Sequence, residues 1–229
     1  MDRYSEVTNK NQREIVLLKA FPCKWGKCSF CDYILDNSKE EEEINKLNFE
    51  VLENITGKYK VLEVINSGSC FEMPKATLLR IKEIIKEKKI ERLFLESHWI
   101  YKKKIQEMRD FFEIPITFKI GVETFDNEFR NGYLNKNANF ETVEELKEYF
   151  DSPCIMVGIK GQTKEMIDRD MEIVQKHFDH ATINVFINNT SEVKRDQGLV
   201  DWFENKYKFL IDNPKIEILF NNTDFGVGN

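Results

Sequence analysis

The chain has 229 residues, 41% of them hydrophobic and 32% charged, with a formal net charge of −6. That length can bury a core without disulfide staples, and no apolar run approaches the roughly 20 residues that span a bilayer. The acidic balance argues against a nucleic-acid partner, since phosphate backbones are gripped through basic faces. The polar opening MDRYSEVTNKNQRE lacks the apolar stretch of an export signal, so a cytoplasmic protein is expected.

Residues 15–20 (IVLLKA) predict a first strand, followed by a loop rich in cysteine. Ser38, with Glu41 three residues on, predicts a capping box and a helix running to about residue 55. Residues 61–65 predict a second strand, and Leu78, Ile81 and Ile85 fall on one face of the helix after it. Strands at 93–95, 116–121, 154–157 and 182–187 follow in turn. They alternate with helices near 103–112, at 142–150, at 163–178 and around Leu199, Trp202, Phe203 and Leu210. A last apolar run, 216–220, leads into a short tail. Strand–helix alternation with near-continuous apolar strands predicts a parallel α/β sheet covered on both faces. Six such units fall short of a full eight-stranded barrel, leaving a partial (β/α)6 barrel or an open doubly wound sheet. No repeat or linker divides the chain, so 1–229 is expected to be one domain, with a core over about 14–190 and a C-terminal strand–helix and tail over 191–229.

Three of the five cysteines, Cys23, Cys28 and Cys31, form a C-x4-C-x2-C pattern directly after the first strand. A loop there opens at the C-terminal edge of a parallel sheet, where such folds carry their active sites. In a reducing compartment this crowding points to metal or redox chemistry. Three thiolates on a four-iron cubane leave one iron open to a chelating small molecule. A structural zinc needs a fourth ligand, for which His98 or Cys70 are the candidates. The first arrangement is that of an enzyme, the second that of a zinc-stabilised binding module.

The cysteine segment, with the aromatic Phe30 before its last cysteine, resembles the C-x3-C-x2-C signature of the radical S-adenosylmethionine (SAM) superfamily. It carries one residue more between Cys23 and Cys28, which Gly26 is suited to absorb. Other segments follow in the family's order over about 14–190. Asn66-Ser67-Gly68-Ser69 resembles the turn that binds the SAM amino group. Glu96-Ser97 and Gly121-Val122-Glu123-Thr124 resemble positions near the SAM ribose and methionine, and Gly158-Ile159-Lys160-Gly161 resembles an adenine-contacting segment. The resemblance implies a partial (β/α)6 barrel, a [4Fe–4S] cluster held by Cys23, Cys28 and Cys31, and SAM as cofactor, whose reductive cleavage gives a 5′-deoxyadenosyl radical.

The phrases NSGS, ES and GVET look like a branch containing tRNA-modifying and archaeosine-pathway enzymes. That likeness implies a lyase of queuosine salvage, cleaving a C–N bond of queuine to release 7-aminomethyl-7-deazaguanine. A different radical SAM reaction, on a tRNA or a modified nucleobase, is the alternative within the family. A planar deazapurine calls for stacking and for an acid or amide at its Watson–Crick edge. Asn188, Asn189, Phe186, Glu123, Asp224 and Phe225 are the candidates at the strand ends and tail; turn chemistry for the asparagines and core packing for Phe186 are the competing readings. Lys24 and Lys27 flank the cysteines and are suited either to dock an acidic flavodoxin or ferredoxin as electron donor or simply to keep the surface solvated.

Overall fold

A computed structural model describes residues 2–221. One eight-stranded sheet runs in sequence order: β1 (Tyr4–Val7), β2 (Arg13–Leu18), β3 (Val61–Asn66), β4 (Arg92–Glu96), β5 (Ile116–Glu123), β6 (Ser152–Val157), β7 (Ala181–Val185) and β8 (Ile216–Leu219). From β2 to β8 every pairing is parallel, and β1 alone is antiparallel. Helices α1 (Glu41–Leu52), α2 (Lys75–Lys88), α3 (Ile105–Phe112), α4 (Val143–Lys147), α5 (Lys164–His177) and α6 (Gln197–Tyr207) make the crossovers. Among the described residues no helix is long and apolar enough to cross a membrane.

The strands read as apolar runs because both faces are covered, but the faces differ. Val16, Leu18, Leu62, Val64, Leu95, Phe118, Ile120, Ile155, Val157, Ile183 and Val185 pack with the helices in the main core. The alternate positions, including Arg13, Glu63, Lys119, Cys154, Thr182 and Glu217, face inward and line cavities. The sheet curls so that its two edges approach. Lys10 donates to the carbonyls of Ile211 at 2.8 Å, Asn213 at 2.7 Å and Ile216. The Arg13 guanidinium forks onto Glu217 of β8 at 2.8 and 2.7 Å. Among the described residues side chains, not a strand ladder, bridge this seam, giving an incomplete barrel.

Four features differ from the sequence expectations. The half-buried edge strand β1 was not predicted, because YSEV shows neither an apolar run nor alternation. The capping box at Ser38 does not form: α1 starts at Glu41 with Glu40 as its cap, and the Ser38 hydroxyl instead accepts from Glu40 N–H at 3.2 Å and donates to Glu43 at 2.9 Å. The helix ends at Leu52, where the Asn54 amide turns back onto the Val51 carbonyl at 3.0 Å. A capping box does form at Ser69 and Glu72, opening the single turn Cys70–Glu72. The segment expected as a helix over 142–150 is helical only over Val143–Lys147.

Candidate active site

Every parallel strand ends at the same rim, and the loops there enclose a cavity of about 640 Å³. The loop after β2 brings Cys23, Cys28 and Cys31 to its wall. Gly26, the residue suited to absorb the additional position, sits in left-handed backbone at φ +57°. The neighbouring segment straps this loop: Ser29 N–H donates to the Leu134 carbonyl at 3.0 Å and Ser29 Oγ to the Tyr133 carbonyl at 2.8 Å. Cys28 and Cys31 rest against a small apolar cluster that includes Phe30, Leu134, Met156, Ile159 and Phe186.

Burial pushes all three thiols up, that of Cys28 to about 12, while the Lys136 ammonium pulls the other way. Metal must therefore displace protons to bind there. The two candidates for a fourth ligand are committed elsewhere. His98 holds its Nε2 against the Lys136 carbonyl at 2.8 Å and accepts from Ile100 N–H at Nδ1, 3.2 Å away. Cys70 is fully buried in the main core. Among the described residues no group of three or more His, Cys, Asp or Glu is placed to hold a single metal ion. The trio thus suits a cubane facing open space better than a closed zinc site.

The surrounding wall also fits a polar, chelating ligand. The Asn66 amide donates to the Ser69 carbonyl at 3.1 Å, and its buried Oδ1, in the cavity wall, has no partner among the described residues. Gly68 gives close access to the same turn, since a Cβ there would stand 2.2 Å from Glu72 Oε2. Gly121 is similar: a Cβ would stand 2.3 Å from Glu123 Oε1 and 2.6 Å from Lys136 Nζ. Glu123, at φ +67° beside a register shift in β5, turns its carboxylate to Lys136 at 2.6 Å. Burial opposes the Lys136 charge, but the Glu123 carboxylate outweighs it and holds the ammonium protonated.

The other predicted residues divide. Phe30, Ser67, Gly68, Glu96, Glu123, Phe186, Asn188 and Asn189 all line the cavity. Ser69 does not: it is fully buried, caps the turn through Glu72, and meets Ser97 Oγ at 3.0 Å. Gly158 and Ile159 lie behind the wall. Gly158, at φ +84°, is where Val200 of α6 presses within 2.3 Å of a would-be Cβ, and Ile159 packs in the small apolar cluster. Asn188 accepts from Arg195 N–H at 2.8 Å and Asn189 from Ser191 N–H at 3.0 Å, so both also perform the turn work that competed with ligand binding, and Asn189 donates besides to the Phe30 carbonyl at 2.8 Å. Asp224 and Phe225 lie outside the described residues.

Three contributors escaped the sequence reading. Glu72 clamps the site: Oε1 accepts from Lys24 N–H at 2.7 Å and from the Tyr101 hydroxyl at 3.1 Å, while Oε2 accepts from Ser69 N–H at 2.6 Å. It thereby joins the cysteine loop to the glycine turn. Lys136 lies in a polar stretch with no periodicity to mark it. The third is an ion network on the inner face: Arg13 to Glu63 at 2.5 Å and to Glu217, then Lys119 to Glu63 at 2.5 Å and to Glu96 at 3.4 Å. Inward charges on apolar strands were its only sequence signal.

This barrel, its rim of three cysteines and its glycine turn are the frame of a SAM-dependent radical enzyme, and the chain belongs to the radical SAM superfamily, whose family model matches residues 23–174. The family's cofactors are SAM and a [4Fe–4S] cluster. Among solved structures, the chain is similar to a queuine lyase from Clostridium spiroforme bound to SAM and queuine, with a TM-score of 0.97 and 57% identity over 100% of both chains. It is also 27% identical over 146 residues to an uncharacterized protein of Methanocaldococcus jannaschii, a match spanning 56% of this chain and 40% of that relative.

Proposed function

We propose that this chain is a lyase that cleaves the C–N bond of queuine and releases 7-aminomethyl-7-deazaguanine. The observation that carries this reading is 57% identity, over the full length of both chains, to an enzyme solved with queuine and SAM bound. The cavity supports it in size and chemistry, since about 640 Å³ bounded by cluster cysteines, an aromatic and amides suits a nucleobase beside a cofactor.

In this reading Cys23, Cys28 and Cys31 hold the cluster, and the turn Asn66–Gly68 takes the SAM amino group through the unpartnered Asn66 Oδ1. When bound, the cluster and SAM supply a 5′-deoxyadenosyl radical that removes one substrate hydrogen. The protein orients and shields. Glu72 fixes the cysteine loop against the glycine turn, Glu123 and Lys136 stay paired within the wall, and Phe30 and Phe186 offer apolar surface to the base. Asn188 and Asn189 remain candidates for its polar edge. The exposed Lys24 and Lys27 beside the cysteines support docking of an acidic flavodoxin or ferredoxin. Because both ends of the chain give strands to one sheet, we read the whole as one catalytic unit.

The test is anaerobic incubation of reconstituted protein with dithionite, SAM and a panel of deazapurines. Release of 5′-deoxyadenosine with 7-aminomethyl-7-deazaguanine from queuine is expected. Turnover of another deazapurine, with queuine untouched, overturns the substrate assignment.

A further inference from the structure

We infer that Glu96 is the residue that recognises the secondary ammonium of the substrate, the nitrogen whose bond to carbon is broken. The inference rests on the queuine reading above and adds to it the group that selects an amine.

The argument begins with charge balance inside the barrel. Arg13 and Lys119 face Glu63 and Glu217, two cations against two carboxylates, all nearly buried and in direct contact. This set is neutral by itself. Glu96 stands at the top of it, at the end of β4; when ionised it adds a negative charge that nothing in the set balances, and burial, only partly offset by Lys119, pushes its carboxyl above the usual range. Among the described residues its one polar partner is Lys119, at 3.4 Å, while Lys119 sits much closer to Glu63, at 2.5 Å. The Glu96 carboxylate thus keeps oxygen capacity to spare, and it lines the cavity with about a third of its side chain exposed there. A carboxylate in such a place calls for a cation from the ligand.

The other acids of the wall are already engaged. Glu123 holds Lys136 at 2.6 Å. Asp36 is paired with Arg3. Asp32 accepts from Asn189 and from Thr190, each at 3.1 Å. Glu96 alone among these is only loosely paired.

Two organic cations enter this cavity in the proposed reaction, the substrate ammonium and the SAM sulfonium. The charged groups that act most strongly on the three cysteine thiols are Lys136, Glu72 and Glu123. Glu96 feels Lys136 as well, but its contact is with Lys119, which reaches on to Glu63 on the barrel's inner face. The Lys119 contact beneath the rim favours the substrate amine over the position near the SAM ribose and methionine that the family resemblance implied for Glu96.

The experiment measures equilibrium binding to reconstituted protein of three ligands: SAM, queuine, and a queuine isostere with an ether oxygen replacing the secondary amine. Wild type should prefer queuine to the ether roughly ten- to hundredfold, the worth of a charge-assisted hydrogen bond. Glu96→Gln should erase most of that preference and leave SAM affinity within about twofold. A variant that keeps the wild-type preference overturns the assignment. So does one that loses SAM affinity instead, which gives Glu96 to the sulfonium. If queuine and its ether both fail to bind wild type, the substrate reading itself has failed, an outcome distinct from either. Glu96→Asp serves as the folding control and should recover part of the preference.

Discussion

Asn135 and Lys27 meet across the rim of the cavity: the Asn135 amide donates to the Lys27 carbonyl at 2.7 Å, and the Asn135 carbonyl accepts from Trp25 Nε1, also at 2.7 Å. This two-way clasp holds the stretch between Cys23 and Cys28 that carries one residue more than the family signature. An enlarged loop has more conformations to lose on ordering, so an external strap replaces what a shorter loop would fix by itself. Asn135 sits at φ +49°, a left-handed conformation that asparagine tolerates better than alanine.

The clasp predicts a graded pair of variants. Asn135→Gly removes the amide bond alone, and Asn135→Ala also strains the backbone. Both should lose iron faster than wild type in the presence of a mild chelator. Alanine should cost about 1 kcal/mol more folding stability than glycine. Iron retention equal to wild type in both would mean the strap is idle.

Gly68 and Glu72 give a second prediction. A Cβ at Gly68 would stand 2.2 Å from Glu72 Oε2, and that carboxylate is pinned by Lys24 N–H, Ser69 N–H and the Tyr101 hydroxyl. The clash cannot be relieved without releasing the cysteine loop or the glycine turn. Gly68→Ala should therefore weaken SAM binding by at least about tenfold, an expectation of the usual cost of disturbing a buried charge-assisted hydrogen bond. Titration of SAM into reconstituted protein checks it, and unchanged affinity would show that Glu72 has room to move.

Much of the fold is legible in the sequence because buried parallel strands write themselves as apolar runs, as residues 61–65 and 154–157 do. The cysteine spacing is legible because local chemistry demands it. What stayed hidden depends on contacts between distant segments. Nothing local marks Glu72, and only folding brings Lys24 to it across 48 positions. Lys136 occupies an irregular loop, and its meeting with Glu123 follows from the turn after β5. Gly158 stood out through its family resemblance, and nothing in the sequence hinted that Val200 of α6 packs against it.

The cysteines should separate into two classes by substitution. Cys28→Ala, like the same change at Cys23 or Cys31, should abolish the iron–sulfur chromophore after anaerobic reconstitution while the far-ultraviolet circular dichroism spectrum persists. Cys70 and Cys154 are buried, and Cys70 packs in the main core. Cys70→Ala should keep the chromophore and lose stability on the order of 1 kcal/mol for a small core deletion. Roughly four irons in wild type and near none in Cys28→Ala are expected; a full iron count in Cys28→Ala would place the cluster elsewhere.

Stability should pass through a maximum in mildly acidic solution, because two buried carboxyls are shifted in opposite directions. Burial opposes the Glu63 charge, but Lys119 and Arg13 outweigh it and hold the carboxyl down to about 2. Its contribution is therefore present above its ordinary value of 4.5 and drains away as pH falls from there through about 2. Asp170 behaves conversely. Burial pushes its carboxyl from 3.8 up to about 7, although Phe125 N–H, which it accepts at 2.7 Å, and Thr124 pull the other way. The cost of ionising it is absent below about 4, grows as pH rises, and is complete above about 7. Asp170→Asn retains an acceptor for Phe125 and has no charge to bury. The variant should therefore gain stability over wild type at pH 8, on the order of a few kcal/mol, and show little gain at pH 4. Urea unfolding at several pH values reads this directly, and parallel profiles for the two proteins would mean that Asp170 does not titrate in that interval.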